Sequence, residues 1–534
     1  MGFESNVSRR TFVSGVAASA ALAACATTAS ASAADAEAGW DEEHEFVVIG
    51  AGNAAIGALV ALDKGADVVV LEKTGAPGGT LKVSHRGVWI PNNDIVLDEF
   101  KGTDSIELSL EYLKGCDRTH QRNEDDLRTW VERSAPIFNY LKDQVGLPFE
   151  ASAQNDYYNH PGTLVGRSTA LGDSTDEDGW YGSIEKVFEA KGLDIRLNTK
   201  ALHLVTDESG AVTGVLATDE DGNEVRFRGT KGVLIATGSF DRNDRLTYQC
   251  LQPPLVGTKV PPQITGDGHI IAMELGVDLG HMSENWQIVS PVIEEDKPEV
   301  YPWMWYATFV PGSIIVGRDG RRFVNESATY DEVGLAMSNV EMTPTGICNY
   351  YSENSFAIMD QTVIDTYGWP DVMATEQPSW VRKYDTLEEL AEGEGINAEQ
   401  LLIEIEKYNG YCEDGVDKDF ARSTGTDDGM LNGVTCNRYY NPGDDLATWQ
   451  LKPVQTAPFY ACKLGRGSLG TKGGIVVNSG AQVLRNGEPV PGLYACGSAA
   501  DAVISGYTGG GFPNASGVVG SVCAMNHALD LGLF

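Results

Sequence analysis

Residues 46–55 read Phe46-Val47-Val48-Ile49-Gly50-Ala51-Gly52-Asn53-Ala54-Ala55, and this stretch decides the fold. Four consecutive apolar residues suit a strand buried on both faces, and the glycines that follow suit a turn into a helix running from Ala54 to Lys64. A second apolar run, Asp67-Val68-Val69-Val70-Leu71, then ends in Glu72. Strand, glycine turn, helix and strand make a βαβ unit that binds a dinucleotide. Gly50 makes the tight turn, Gly52 lets backbone approach a pyrophosphate at the helix N-terminus, and Ala55 is an accepted variant of the third glycine. Glu72 lies 72 − 52 = 20 residues beyond Gly52. A carboxylate there binds ribose hydroxyls and rejects a 2′-phosphate.

Around this unit the chain has 534 residues, with Lys+Arg 39 against Asp+Glu 76 and a formal net charge of −37. The length predicts about three to four domains. Hydrophobic residues at 42% and charged residues at 22% are globular proportions and exclude disorder, collagen and coiled coil as the main architecture. The acidic balance argues against a nucleic-acid partner, which needs clustered cations. Eight cysteines beyond Cys25, at 116, 250, 348, 412, 436, 462, 496 and 523, contain no Cys-x-x-Cys. That spacing carries no c-type haem, zinc or thioredoxin motif, and no metal ligand is assigned.

The N-terminus reads as an address. Ser8-Arg9-Arg10-Thr11-Phe12-Val13 is a twin-arginine pattern, followed by a mild Ala/Gly/Ser-rich run to about Ala29. The run is too weakly apolar for a permanent span, and no other stretch approaches 18 apolar residues. Residues 1–34 are therefore expected to be a twin-arginine signal, with an acidic linker over 35–45. Leu22-Ala23-Ala24-Cys25 resembles a lipobox, which would make Cys25 a lipid anchor; cleavage after Ala31-Ser32-Ala33 is the competing reading. Either way the expectation is an exported, extracytoplasmic protein at the cell surface.

Further motifs specify the dinucleotide. Glu72-Lys73 continues into Gly78-Gly79-Thr80, then Ser84 and Trp89-Ile90-Pro91-Asn92-Asn93. Gly232-Val233-Leu234-Ile235-Ala236-Thr237-Gly238 and Pro491-Gly492-Leu493-Tyr494-Ala495-Cys496-Gly497 are two more buried strands ending in small residues. A glycine-rich loop and a final helix, about Ala515 to Leu529, follow. Over residues 46 to 530 this set resembles the flavoprotein family of fumarate reductases and 3-ketosteroid dehydrogenases. The resemblance implies FAD rather than NAD, in an α/β fold. It predicts a Rossmann-like, glutathione-reductase-type FAD domain split over 41–275 and 452–534, with an α+β capping domain inserted over 276–451. It also assigns FAD contacts to Asn53, Ala54, Lys73, Ala236, Thr237, Gly238, Asp267, Gly497, Ser498, Ser516 and Val518 beside the glycines, Thr80 and Ser84. In the family the last helix points its N-terminus at the flavin pyrimidine, where its dipole favours reduced flavin. The histidine that holds FAD covalently in succinate dehydrogenase-type members has no counterpart around Gly78-Gly79-Thr80, so non-covalent binding is expected. His85-Arg86 replaces paired glycines of the steroid enzymes, as a cation beside the isoalloxazine or as a salt-bridged surface pair.

The two branches of that family part at the substrate. Fumarate reductases donate a proton from an arginine just after a stretch matched here by Arg321-Arg322-Phe323-Val324-Asn325-Glu326-Ser327-Ala328-Thr329-Tyr330-Asp331; this chain has Tyr330 there. Their carboxylate clamp is replaced by Ser505-Gly506-Tyr507-Thr508-Gly509-Gly510-Gly511-Phe512-Pro513, and no arginine follows Arg485. Without such charges the desolvation of two carboxylates goes uncompensated. The substitutions resemble the ketosteroid dehydrogenase branch instead. Tyr330 matches its proton-transferring tyrosine, and Tyr507 with the Gly511 N–H matches the pair that holds the substrate carbonyl. Tyr157, in Asp156-Tyr157-Tyr158 before His160-Pro161-Gly162 and Gly166-Arg167, matches a further active-site tyrosine. Trp286, Trp303, Trp305 and Tyr306 read either as pocket lining or as ordinary core.

The expectation is an exported FAD oxidoreductase that moves hydride between flavin and a carbon–carbon bond conjugated to a carbonyl, in a bulky, uncharged substrate. It would exchange electrons with a membrane quinol or cytochrome partner. The alternatives are a fumarate-reductase-like enzyme of a carboxylate-bearing enoate, or an exported flavin electron carrier without organic substrate.

Overall fold

The computed structural model describes residues 39–95, 104–118, 123–152, 156–158, 160–164, 167–294, 298–302, 310–342, 346–371, 373–422 and 449–534. The signal segment with Cys25, the linker residues 35–38, Gly166, Trp303, Trp305, Tyr306 and Cys436 lie outside the described residues.

The βαβ unit forms as its sequence predicts. Strand Glu42–Ile49 pairs in parallel with Val68–Leu71, and helix Asn53–Asp63 connects them. Strand Glu224–Ile235 pairs in parallel on the other side of Glu42–Ile49, and Glu488–Ala495 continues the sheet beyond it. Asp194–Arg196 flanks Val68–Leu71, and two antiparallel strands, Lys200–Thr206 and Val212–Thr218, pack beside Glu224–Ile235. The register positions the site. Ile49 pairs with both Leu71 and Ile235, and Ala495 pairs with Ile235, so four strands end level. The loops beginning at Gly50, Glu72, Ala236 and Cys496 therefore open at one edge, the crevice where parallel sheets bind ligands. The helix Phe512–Ala528 packs against helix Asn53–Asp63 behind this edge.

A second, six-stranded sheet carries the cap. Its organiser is the 13-residue strand Phe459–Thr471, which pairs with Gly257–Thr258, Asn285–Pro291, Ser355–Asp360 and Arg382–Tyr384. Ile314–Gly317 completes it against Ser355–Asp360. The expected boundary at 451/452 is thus displaced: ladder bonds hold 459–471 in the capping sheet, and the chain rejoins the first sheet at Gln482–Arg485 and Glu488–Ala495. Likewise 257–258 belongs to the capping sheet rather than to the segment ending at 275. Within the cap, Arg322 and Arg422 share the buried carboxylate of Glu326, and Arg322 also pairs with Asp417, so these charges are compensated internally. Cys116, Cys462, Cys496 and Cys523 are buried thiols. Among the described residues, no His/Cys/Asp/Glu cluster could hold a metal ion and no helix is long and apolar enough to cross a membrane.

Candidate active site

A cavity of about 560 Å³ runs from the glycine turn to the junction of the two sheets. At one end Gly50 sits at φ +105°, and a Cβ there would lie 2.5 Å from the Ala236 carbonyl oxygen, so only glycine fits. Gly52 differs: a Cβ would meet nothing nearer than the Gly78 carbonyl oxygen at 3.7 Å. The space beside it belongs to the cavity, a cradle left open for a ligand. Glu72 is fixed at this end. Its Oε2 accepts from the Ala51 N–H at 3.1 Å, and its Oε1 accepts from the Thr74 N–H and hydroxyl at 2.9 and 2.8 Å. The buried Asn53 Oδ1 at the cavity wall has no partner. Lys73 donates to Asp267 at 2.7 Å. Burial alone would push the Asp267 carboxyl up, but Lys73 holds it below the ordinary carboxylate range.

Most residues assigned to the cofactor reach this wall. Gly50, Gly52, Asn53, Ala54, Glu72 and Lys73 line the turn end; Gly78, Gly79, Thr80 and Ser84 line the next stretch. Ala236, Thr237, Gly238, Asp267, Gly497 and Ser498 complete it. Three do not reach it. Ala55 and Val518 pack in the hydrophobic core, and Ser516 lines a smaller neighbouring cavity, its hydroxyl donating to the Phe512 carbonyl at 3.1 Å. His85 does reach the wall, whereas Arg86 turns away to Glu150 at 2.6 Å and to the Gly172 carbonyl. Arg86 is the salt-bridged alternative.

At the far end three tyrosines converge from three separate segments. Tyr157 follows Asp156, whose carboxylate is pinned by Trp89 Nε1 at 2.8 Å, the Leu164 N–H at 2.9 Å and Arg167 at 2.7 Å. Burial pushes the Asp156 carboxyl up to about 6 despite Arg167. The Tyr157 N–H donates to the Thr508 carbonyl at 2.9 Å, tying its segment to the loop of Tyr507. Tyr330 opens the helix Tyr330–Ala336, capped by Thr329, whose hydroxyl accepts from the Glu332 N–H. The Tyr157 and Tyr330 hydroxyls are 3.2 Å apart. The Tyr507 ring stacks on Tyr157 at 5.4 Å and meets Tyr330 edge-on at 5.2 Å. Trp286 buttresses Tyr507 at 5.2 Å; it is core packed on the site, with Phe512 at 6.0 Å behind it. Gly511 closes this end at φ +91°, and a Cβ there would lie 2.0 Å from the Gly87 carbonyl carbon.

All three phenols are buried. Burial pushes Tyr157 up to about 12, and pushes Tyr330 well above the ordinary phenol with Tyr157 and Tyr507 adding to it. Tyr507 is raised by burial and by Tyr157, with the Tyr330 hydroxyl and the Gly511 N–H opposing. All three therefore stay protonated at neutral pH. Among the described residues, no arginine lines the cavity; its basic members are Lys73, Lys200 and His85. The sequence reading missed what lies behind the phenols. Asp331, Glu332, Arg118 and Lys472 form a charged cluster there. Asp331 was visible inside the Tyr330 motif and Lys472 inside Gly470-Thr471-Lys472-Gly473-Gly474, but nothing in the sequence singles out Arg118.

Comparison with known proteins identifies the family. The FAD binding domain family profile matches residues 45–513. The chain is 27% identical to the 4-oxocyclohexanecarboxylate 2-dehydrogenase of Sinomonas cyclohexanicum, over 91% of this chain and 92% of that one. It is 29% identical to the 3-oxosteroid 1-dehydrogenase of Mycobacterium tuberculosis, over 92% of this chain and 98% of that one. Among solved structures, the 3-ketosteroid delta1-dehydrogenase of Sterolibacterium denitrificans superposes with TM-score 0.78 over 92% of this chain and 100% of that one. At 24% identity that likeness speaks for the fold.

Proposed function

The chain belongs to the FAD binding domain family of oxidoreductases acting on carbon–carbon bonds, and we propose that it moves hydride to or from a C=C/CH–CH bond conjugated to the carbonyl of a bulky, uncharged substrate. The observation that carries this reading is the convergence of Tyr157, Tyr330 and Tyr507 at one end of the FAD cavity, with two of their hydroxyls 3.2 Å apart. Among the described residues no arginine lines the cavity, and its lysines, Lys73 and Lys200, lie near Glu72 and Asp267 rather than at the tyrosines, which supports an uncharged ligand at the tyrosine end.

Glu72 and the Gly50–Gly52 turn would hold the adenosine and pyrophosphate half of FAD, leaving the 78–84 and 510–514 segments of the wall for the other half. When bound, the flavin supplies the hydride-exchanging centre. The residues supply the proton and the electrostatics. Tyr330 transfers the proton at the carbon α to the carbonyl, giving it in reduction and taking it in dehydrogenation. Tyr157, hydrogen-bonded to Tyr330, is the next proton carrier. The Tyr507 hydroxyl and the Gly511 N–H hold the carbonyl oxygen and stabilise the negative charge that develops on it. Phenols held protonated at neutral pH can donate in the reducing direction.

The deciding experiment reduces the FAD-loaded protein anaerobically with dithionite and screens cyclic enones, cinnamates and fumarate for reoxidation. Reoxidation by uncharged enones supports the reading. Efficient reoxidation by fumarate, or by none of the set, overturns it. Non-covalent FAD predicts a yellow supernatant after acid precipitation; flavin left in the pellet would overturn it.

The twin-arginine pattern supports an exported enzyme that takes electrons from a membrane quinol or cytochrome partner, anchored through Cys25 or released after Ala33. Replacing Arg9-Arg10 by Lys-Lys should retain precursor in the cytoplasm, with FAD loaded. Normal surface delivery of that variant would refute the address. Cys25→Ser should abolish membrane association if Cys25 is lipidated.

A further inference from the structure

Each of the three tyrosines has, one or two residues away, a group tied to the same cluster of charges. Arg118 Nη2 donates to Asp331 Oδ2 at 2.9 Å and to the Ser505 carbonyl at 2.7 Å, and its Nη1 donates to Glu332 Oε1. Lys472 Nζ donates to Asp331 Oδ2 at 3.1 Å and to the same Ser505 carbonyl at 2.6 Å. Asp331 Oδ1 accepts the Gln287 N–H at 2.8 Å. Tyr158 donates to Glu332 at 2.8 Å, and the Tyr507 N–H reaches the Tyr158 hydroxyl at 3.4 Å. Two cations and two anions balance, and Asp331 and Lys472 are buried.

We propose that Asp331, Glu332, Lys472 and Arg118 form a charge-balanced hub that clamps the segments of Tyr157, Tyr330 and Tyr507 against one another, and so act as positioning residues for the acid/base chemistry. The assignment rests on the tyrosine reading above. The argument is geometric: Asp331 and Glu332 adjoin Tyr330, Tyr158 adjoins Tyr157, and Ser505 precedes Tyr507 by two residues, so one hub fixes all three. Burying this many charges is costly, and a hydrophobic core would hold the segments as well. What an apolar core lacks is a fixed field on the phenols.

The field has a sign. The charged and titratable groups around the phenols are Asp331 and Glu332 from the Tyr330 helix, Lys472 just past the end of the capping strand, Arg118 and Tyr158 from the FAD-domain side, Asp117, which accepts from the Ser505 hydroxyl at 2.9 Å, and Asp156, paired with Arg167; Glu284 and Arg466 lie further out. Burial would push the Asp331 carboxyl up, but Lys472 and Arg118 hold it below its ordinary range, so it is an anion. That anion raises Tyr157 and Tyr507 beyond the effect of their burial. Removing its charge leaves the hub net positive and should lower the phenol titrations. Removing Lys472 leaves it net negative and should raise them.

The test uses FAD-loaded protein labelled with fluorotyrosine, whose titration falls in an accessible range, with ¹⁹F signals of positions 157, 330 and 507 assigned from single Tyr→Phe variants. Asp331→Asn should move these titrations to lower pH, and Lys472→Met to higher pH, each by about one pH unit. Asp331→Glu and Lys472→Arg should restore the parent midpoints. Where an enone is turned over, the pH profile should move with the same two signs. Unchanged midpoints in both variants, or shifts of the same sign, overturn the hub. If Asp331→Asn fails to fold, the Lys472→Met shift alone decides. Opposed shifts in a protein that reduces no enone leave the hub standing and overturn the functional reading.

Discussion

Replacing Tyr330 by Phe is expected to lower turnover by about 10²–10⁴ while leaving FAD content unchanged. The substitution removes one hydroxyl and keeps the ring, so the edge-on contacts with Tyr157 at 5.6 Å and Tyr507 at 5.2 Å survive. The Tyr157 hydroxyl loses its 3.2 Å neighbour. On the proposed route, the proton donor itself is then missing. Tyr507→Phe should cost about 10²–10³, because the Gly511 N–H still holds the carbonyl oxygen. Rates at saturating substrate, with flavin counted by absorbance, decide the matter. A folded, flavin-replete Tyr330→Phe enzyme turning over normally would move the proton transfer to Tyr157.

The second large effect falls at the other end of the cavity. Gly52→Ala should weaken FAD binding by about 10- to 100-fold, corresponding to about 1–3 kcal/mol of steric conflict with the bound pyrophosphate. The protein itself has room for the methyl group, with its nearest contact at 3.7 Å. Apo-protein of the variant should therefore melt with the parent apo-protein, while purified variant carries little flavin. Gly50→Ala is the contrast, since its methyl would strike the Ala236 carbonyl and should damage the sheet edge itself. Full flavin occupancy in Gly52→Ala at limiting FAD would refute the cradle.

What the sequence could disclose follows from which interactions are local. The βαβ unit was legible because strand, turn and helix declare themselves within thirty residues; its helix and second strand lie within one residue of expectation, while the first strand starts four residues earlier, at Glu42. The last helix began three residues earlier than its pattern suggested, at Phe512, because the apolar period is weak in a helix buried on most sides. Tyr330 and Tyr507 were legible only through the resemblance, since a buried tyrosine has no signature of its own. The hub was not legible. Asp331, Lys472 and Arg118 are separated by more than a hundred residues from one another, and charges of this kind read as solvated surface until the fold brings them together. The partners of the long strand Phe459–Thr471 were not legible for a related reason: they come from segments between Gly257 and Tyr384, and such pairing is non-local.

The tyrosines have unequal parentage. Tyr330 rides on the cap, beside Gln287 and Trp286 of its sheet, whereas Tyr157 and Tyr507 belong to segments held against the FAD side by Thr508. Under the proposed roles the acid/base set is drawn from both sides of the cavity, so a displacement of the capping sheet against the first sheet would part Tyr330 from Tyr157 and Tyr507 and take the proposed proton donor out of the set.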